Sequence, residues 1–281
     1  MLGEFYDAYE AHTTNARLVA AHGGTLSKRW HEIDNNYDAY RYRQASWAHD
    51  LAQAVIEGKP ESELNQMHAL AMAAAIGSQN GTYTGQVGGT AEAMINTHVR
   101  ERVTAALVQE YNKTSADNFK AVGAHLGLNL QQFRSLAEQI DPDTDPAKLV
   151  GIPMEQQQAW LKAAEVVADI EAGFNAFRAA AALEGRVLKA SDSLLGLVCP
   201  TTGTGADRRK LWDAWDSKGR TGRFGALIKA GFEVNPIGSV REYRSYARPQ
   251  AVNKMERING GIRQTWVDSE DSDIKVDMHP R

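Results

Sequence analysis

The sequence predicts a mainly α-helical fold, a long-helix bundle with heptad seams followed by a small irregular α+β module at the C-terminus. Three observations carry this. Two long stretches repeat apolar residues in alternating steps of three and four, the spacing of a narrow helical seam that faces another helix. Beyond residue 196 that period stops, glycines recur, and apolar residues near the end alternate one by one, as on a strand. Charge changes sign along the same divide: residues 1–200 hold 16 Lys and Arg against 24 Asp and Glu, and residues 201–281 hold 15 against 11. Two regions follow from this, an acidic helical bundle over 1–195 and a basic, glycine-rich module or arm over 196–281.

The longest predicted helix covers 153–188. Its seam is Trp160, Ala163, Val167, Ile170, Phe174, Phe177 and Ala181, with Glu184 polar and Leu188 beyond. Pro153 suits the first turn, where a missing N–H costs nothing. Gly173 in its middle costs roughly 1 kcal/mol against Ala, which a close helix crossing would explain. Going back to the start, residues 2–21 read as a helix that Gly23-Gly24 ends. A second long helix is expected over 25–57, with the seam Leu26, Trp30, Ile33, Tyr37, Tyr40, Gln44, Trp47, Leu51 and Ala54. Gly58-Lys59-Pro60 stops it. Its length and period match those of 153–188, so the two are expected to pack lengthwise.

A third helix is predicted over 61–76, then a loop over 77–90 with five glycines, then a helix over 91–111 with Thr90 as its cap. Shorter helices follow over 116–126 and 130–140, broken by Gly127. Asp145 caps and Pro146 opens a short helix that Gly151 ends. After 188 come a loop around Cys199, a short helix over 207–215 and glycines at 219, 222, 225, 231 and 238. Strand alternation is expected at Ile262, Gln264 and Trp266, and again at Ile274, Val276 and Met278, with a hairpin link at 269–272.

Composition bounds the function. With 281 residues, 43% hydrophobic and 23% charged, the chain has the make-up of a globular protein. No apolar run approaches the roughly 20 residues that span a bilayer, so no membrane is expected as a partner. Met1-Leu2-Gly3-Glu4 lacks a basic segment leading into an apolar one, so no signal peptide is expected, and the location expected is the cytoplasm or an intracellular assembly. A single cysteine excludes an internal disulfide and a cysteine-cluster metal site.

Several segments invite chemistry. Thr201, Thr202, Gly203, Thr204 and Gly205 precede a helix opening with Arg208, Arg209 and Lys210. Backbone N–H groups and three cations there suit a phosphate or carboxylate, as in an anion- or nucleotide-binding enzyme; the plain alternative is a turn with solvated basic residues. Residues 119–136 have helix-turn-helix spacing, with Gly127 as the turn and Gln131, Gln132, Arg134 and Ser135 facing outward. Acidic surroundings oppose that. Arg220, Arg223, Lys229, Arg241, Arg244, Arg248, Lys254, Arg257 and Arg263 interleave with Phe224, Phe232, Tyr243, Tyr246 and Trp266. This composition suits a strand-tracking nucleic-acid surface, and equally an arm that docks on acidic protein neighbours. Asp141, Asp143 and Asp145 imitate the start of a calcium loop, but Pro146 and Ile152 stand where Gly and Glu are needed. His31-Glu32 and His49-Asp50 lie about 27 Å apart on one helix and cannot share a metal. No metal, cofactor or catalytic group is expected. The function expected is that of a non-enzymatic structural or assembly protein in a multi-subunit complex, its basic C-terminal region docking on neighbouring protein subunits of the same or another chain. Nucleic-acid binding through 201–265 or 119–136 is the alternative.

Overall fold

The computed structural model describes residues 7–41, 47–75, 91–185, 194–199, 205–244, 251–258 and 261–268. These form α1 (Ala8–Ala21), α2 (Lys28–Arg41), α3 (Trp47–Ile56), α4 (Glu61–Ala75), α5 (Ala91–Asn112), α6 (Ser115–Ala137), α7 (Met154–Leu183), α8 (Gly205–Trp215), α9 (Gly222–Lys229) and strands β1 (Ala251–Ile258) and β2 (Gly261–Asp268), with short 3-10 turns at Pro146–Leu149, Leu194–Leu197 and Val240–Glu242. The mainly helical class with a small C-terminal sheet is as expected. No described helix is long and apolar enough to cross a membrane. By packing the chain divides into two compact units, Met1–Thr14 with Leu26–Lys113, and Asn15–Thr25 with Thr114–Arg281. Residues on either side of 195 thus belong to one unit.

In the first unit α2 packs on α5, α3 on α4, and α4 on α5. Ser27 begins α2 as a cap, its Oγ accepting from the Trp30 amide at 3.0 Å while its hydroxyl donates to Glu110 Oε1 at 2.7 Å. Trp30 and Tyr37 from the predicted seam are buried, at 1% and 6% exposure. Tyr37 meets Tyr9 edge-on at 4.6 Å between centroids, and the Tyr9 hydroxyl donates to the buried Asp34 at 2.7 Å. Burial first, then Asp34, raises the Tyr9 pKa. Trp47 opens α3, and its side chain lies outside the described residues, as does Gln44.

His12 from α1 sits in this core at 7% exposure, edge-on to Tyr111, with the Trp30 indole N–H directed at its Nε2 at 3.5 Å. Burial holds its pKa below the ordinary imidazole range, against the smaller opposing pulls of the Leu107 backbone and Asp34. For a base whose folded pKa is depressed, stability is complete above the unfolded value of about 6.5 and is lost as pH falls below it. The contribution of His12 to thermal melts is therefore expected to be flat above about pH 6.5 and to fall on acidification below it. A His12→Leu variant is expected to lack that drop; an unchanged slope in the variant assigns it to other groups.

In the second unit α6 and α7 pair antiparallel, Phe119 stacking on Phe177 at 4.5 Å between centroids and Leu126 lying against Gly173. Within its own unit the long partner of α7 is α6. One expectation is corrected: α6 runs unbroken through Gly127, so 119–136 is no helix-turn-helix. Phe119, Val122, Leu126, Leu130 and Phe133 form one buried stripe along it. Covering that stripe outweighs the roughly 1 kcal/mol that each helical glycine costs. Gly123 eases the crossing: a Cβ there would stand 3.1 Å from the Phe177 ring, which would have to shift by a few tenths of an ångström. Trp160, Ile170, Phe174 and Phe177 are buried as the seam requires, but so are Val166, Ala176, Ala179 and Ala180 off it. The buried face of α7 is broader than a coiled-coil seam because α9 also packs on the helix.

The C-terminal segments dock on this pair. Backbone amides of Asn235 and Ile237 donate to the carbonyls of Val198 and Leu197 at 2.8 and 3.0 Å. Strands β1 and β2 form an antiparallel hairpin in which Ile258 faces Gly261, leaving two residues between the strands. The partner of the expected strand at 262–266 is therefore 251–258. The expected link at 269–272 and strand at 274–278 lie outside the described residues.

Candidate functional site

The basic residues singled out in sequence fall into three groups. Thr202 and Gly203 lie outside the described residues. Gly205 is the first residue of α8, Arg208 and Arg209 are half-buried, and Lys210 is exposed. These three occupy successive positions of α8, about 100° apart around it.

The second group is paired within its own unit. Arg220 lies over the Trp160 ring, 3.4 Å from its centroid, and its two terminal nitrogens donate to the carbonyls of Pro142 and Trp160, each at 2.6 Å. Burial lowers its pKa. Arg223 forms a bidentate pair with Glu171 of α7 and faces the rings of Trp215, Phe174 and Phe224 at 4.3, 5.0 and 5.3 Å. Those three rings pack edge-on to one another. Lys229 pairs with Asp141 at 2.8 Å, and Asp143 accepts from the Thr221 hydroxyl at 2.9 Å. The hydrogen bond to Lys229 lowers the Asp141 pKa and raises that of the lysine. Arg223 and Lys229 thus pair with acidic groups of their own unit, and Arg220 with backbone carbonyls and a ring. Beside them a cleft of about 440 Å³ opens between the end of α6, the 141–143 turn and α9, floored by Phe133, Ala137 and Ile228. The aspartates of the calcium-like run are turn and capping groups: Asp141 accepts from the Asp143 amide and Asp145 from the Ala147 amide. Among the described residues no group of three His, Cys, Asp or Glu is placed to hold a metal ion. Cys199 is buried at 2% exposure, which pushes its thiol up to about 12, far from the thiolate a nucleophile needs.

The third group is open. Arg241 and Arg244 are exposed, Arg244 donating to the carbonyls of Arg241 and Tyr243 at 2.8 Å each. On the hairpin, alternation and register put Asn253, Met255 and Arg257 on one face with Trp266, Gln264 and Ile262 opposite them. Met255, Ile262 and Trp266 are 64%, 69% and 39% exposed; on the other face Val267 is 5% and its partner Val252 42% exposed. Arg257 is exposed on the same face, and Lys254 and Arg263 on the other.

Sequence reasoning missed both the clamps and the hairpin partner. Arg220 and Arg223 meet groups 60 and 52 residues away, so no local spacing announces them. The hairpin did leave a signal, Asn259-Gly260 between two eight-residue stretches, the favoured dipeptide of a two-residue turn. No protein-family model matches the chain, and no curated protein or solved structure is similar to it.

Proposed function

We propose that the chain is a non-enzymatic structural subunit of a multi-subunit assembly and that its C-terminal hairpin is the arm that docks on neighbouring subunits. The exposed face of Met255, Ile262 and Trp266 carries this. A lone two-stranded hairpin is marginal in water and gains stability when a partner covers an apolar face. Large apolar groups gathered on one open face mark an interaction surface. Arg220, Arg223 and Lys229 are satisfied within their unit, which narrows the docking arm to 241–268. The cations left exposed there suit acidic neighbours and give such a contact its salt dependence.

One observation favours nucleic acid as a second partner class: Trp266 offers an open ring on a strand pair that also carries Arg257 and Arg263. A salt series of binding to single-stranded oligonucleotides separates the two. Phosphate contact predicts a steep fall of affinity with salt and its reduction in Arg257→Ala; docking on protein alone predicts no measurable binding. For the assembly itself, the mass of the purified particle is expected to exceed that of one 30.8 kDa chain, with or without nuclease treatment.

A further inference from the structure

His22 and His125 face each other within the second unit, away from the arm and the cleft. His22 follows directly on Ala21, the last residue of α1, and His125 stands near the middle of α6. Their ring centroids are 6.0 Å apart and the ring planes meet at 81°. The backbone builds this approach. Gly23, at φ +99°, lets the chain turn onto α6, where a Cβ would meet the Ala121 carbonyl oxygen at 3.4 Å and the His125 Cβ at 3.5 Å. The buried Asn118 pins the turn: its Oδ1 accepts from the Thr25 amide at 2.8 Å, and its Nδ2 donates to the Thr25 carbonyl at 2.9 Å. His22 Nδ1 lies 3.0 Å from the Leu18 carbonyl oxygen. A carbonyl only accepts, so Nδ1 carries the hydrogen, and Nε2 of the neutral ring holds the lone pair. An imidazole held in this way by a backbone carbonyl, with its other nitrogen open, has the usual support of a metal-ligating histidine.

We infer that His22 and His125 together bind one divalent ion of the zinc, copper or nickel class. With metal–nitrogen bonds of about 2.1 Å, each ring centroid lies about 3.2 Å from a shared ion, so two such rings stand about 5 Å apart at a tetrahedral angle and about 6.4 Å apart in line. The observed 6.0 Å falls inside that span. His125 is exposed, so its ring is free to turn a nitrogen onto the ion. Imidazole selects ions of this class over Mg²⁺ and Ca²⁺, which take oxygen ligands. The C-terminal end of α1 adds a field that favours a cation. Among the described residues no third His, Cys, Asp or Glu joins the pair, so water completes the coordination and the ion is held less tightly than in a closed four-ligand site. Once bound, it staples the turn at 22–25 to α6 and stabilises the second unit by mass action.

The test uses the full-length chain, stripped with a chelator, and Zn²⁺ alone as the probe. Zn²⁺ is expected to raise the melting temperature of the second unit, and Mg²⁺ to leave it unchanged. Isothermal titration is expected to show a site that His22→Ala and His125→Ala each weaken about tenfold or more, and that His68→Ala, an exposed position on α4, leaves intact. With one equivalent of Cu²⁺ instead, the electron paramagnetic resonance spectrum is expected to show two imidazole nitrogens in the wild type and one in each variant. Circular dichroism checks folding, and the exposed His125 keeps the test open should His22→Ala fold poorly. No melting shift in excess Zn²⁺, undiminished binding by His125→Ala, or a single nitrogen in the wild-type spectrum overturns the inference. The assembly reading rests on 241–268 and stands or falls separately.

Discussion

Phe177→Ala is expected to lower the stability of the second unit by about 3–5 kcal/mol, the range for emptying a buried aromatic site. Phe177 is fully buried, stacked on Phe119, and its ring fills the notch that Gly123 leaves in α6. Collapse around the gap is limited because α6 and α7 hold each other along their length. In a thermal melt the loss corresponds to a fall on the order of 10 °C for a unit of this size. A cost below about 1 kcal/mol would mean that the α6–α7 crossing is not the centre of the unit.

Arg220→Ala is expected to cost about 2–3 kcal/mol through lost stacking and two lost charge-assisted hydrogen bonds, discounted because the guanidinium is only half-buried. Arg220→Lys is expected to recover less than half of it. A compact ammonium cannot lie flat on Trp160 while bridging the carbonyls of Pro142 and Trp160. Neither variant is expected to change association once folded, since the guanidinium is committed within its own unit. Urea unfolding together with sedimentation reads both. A variant of unchanged stability that no longer associates would return Arg220 to the outer surface.

These clamps show why the basic C-terminal stretch was only half legible. Its charge can be counted in sequence, but which cations stay free depends on long-range partners. Glu171 and the Trp160 carbonyl meet Arg223 and Arg220 only once α9 lies on α7. Where structure is punctuated locally, the sequence suffices. Asp145 and Pro146 open the short turn at Pro146–Leu149, and Gly151, at φ +86°, ends it. Helix periodicity locates α4, α5 and α7 to within a few residues. It fails where burial overrides a breaker, as at Gly127 in α6. It also fails where glycines conceal a helix, as in α9, whose Gly225 lies against Thr221 and Phe133. The partner of α7 within its unit could not be chosen by matching seam lengths, because α6 reads as two short helices until its buried stripe is seen whole. In the candidate site, Trp266 and Ile262 stand out as strand residues in sequence, but their shared open face with Met255 needs the register of the hairpin.

Light scattering of the purified full-length chain after nuclease treatment, over a range of concentrations, tests the assembly role most directly. A molar mass that rises with concentration above 30.8 kDa and returns to that value in Trp266→Glu is expected. A single 30.8 kDa species at every concentration, unchanged by the substitution, would contradict it.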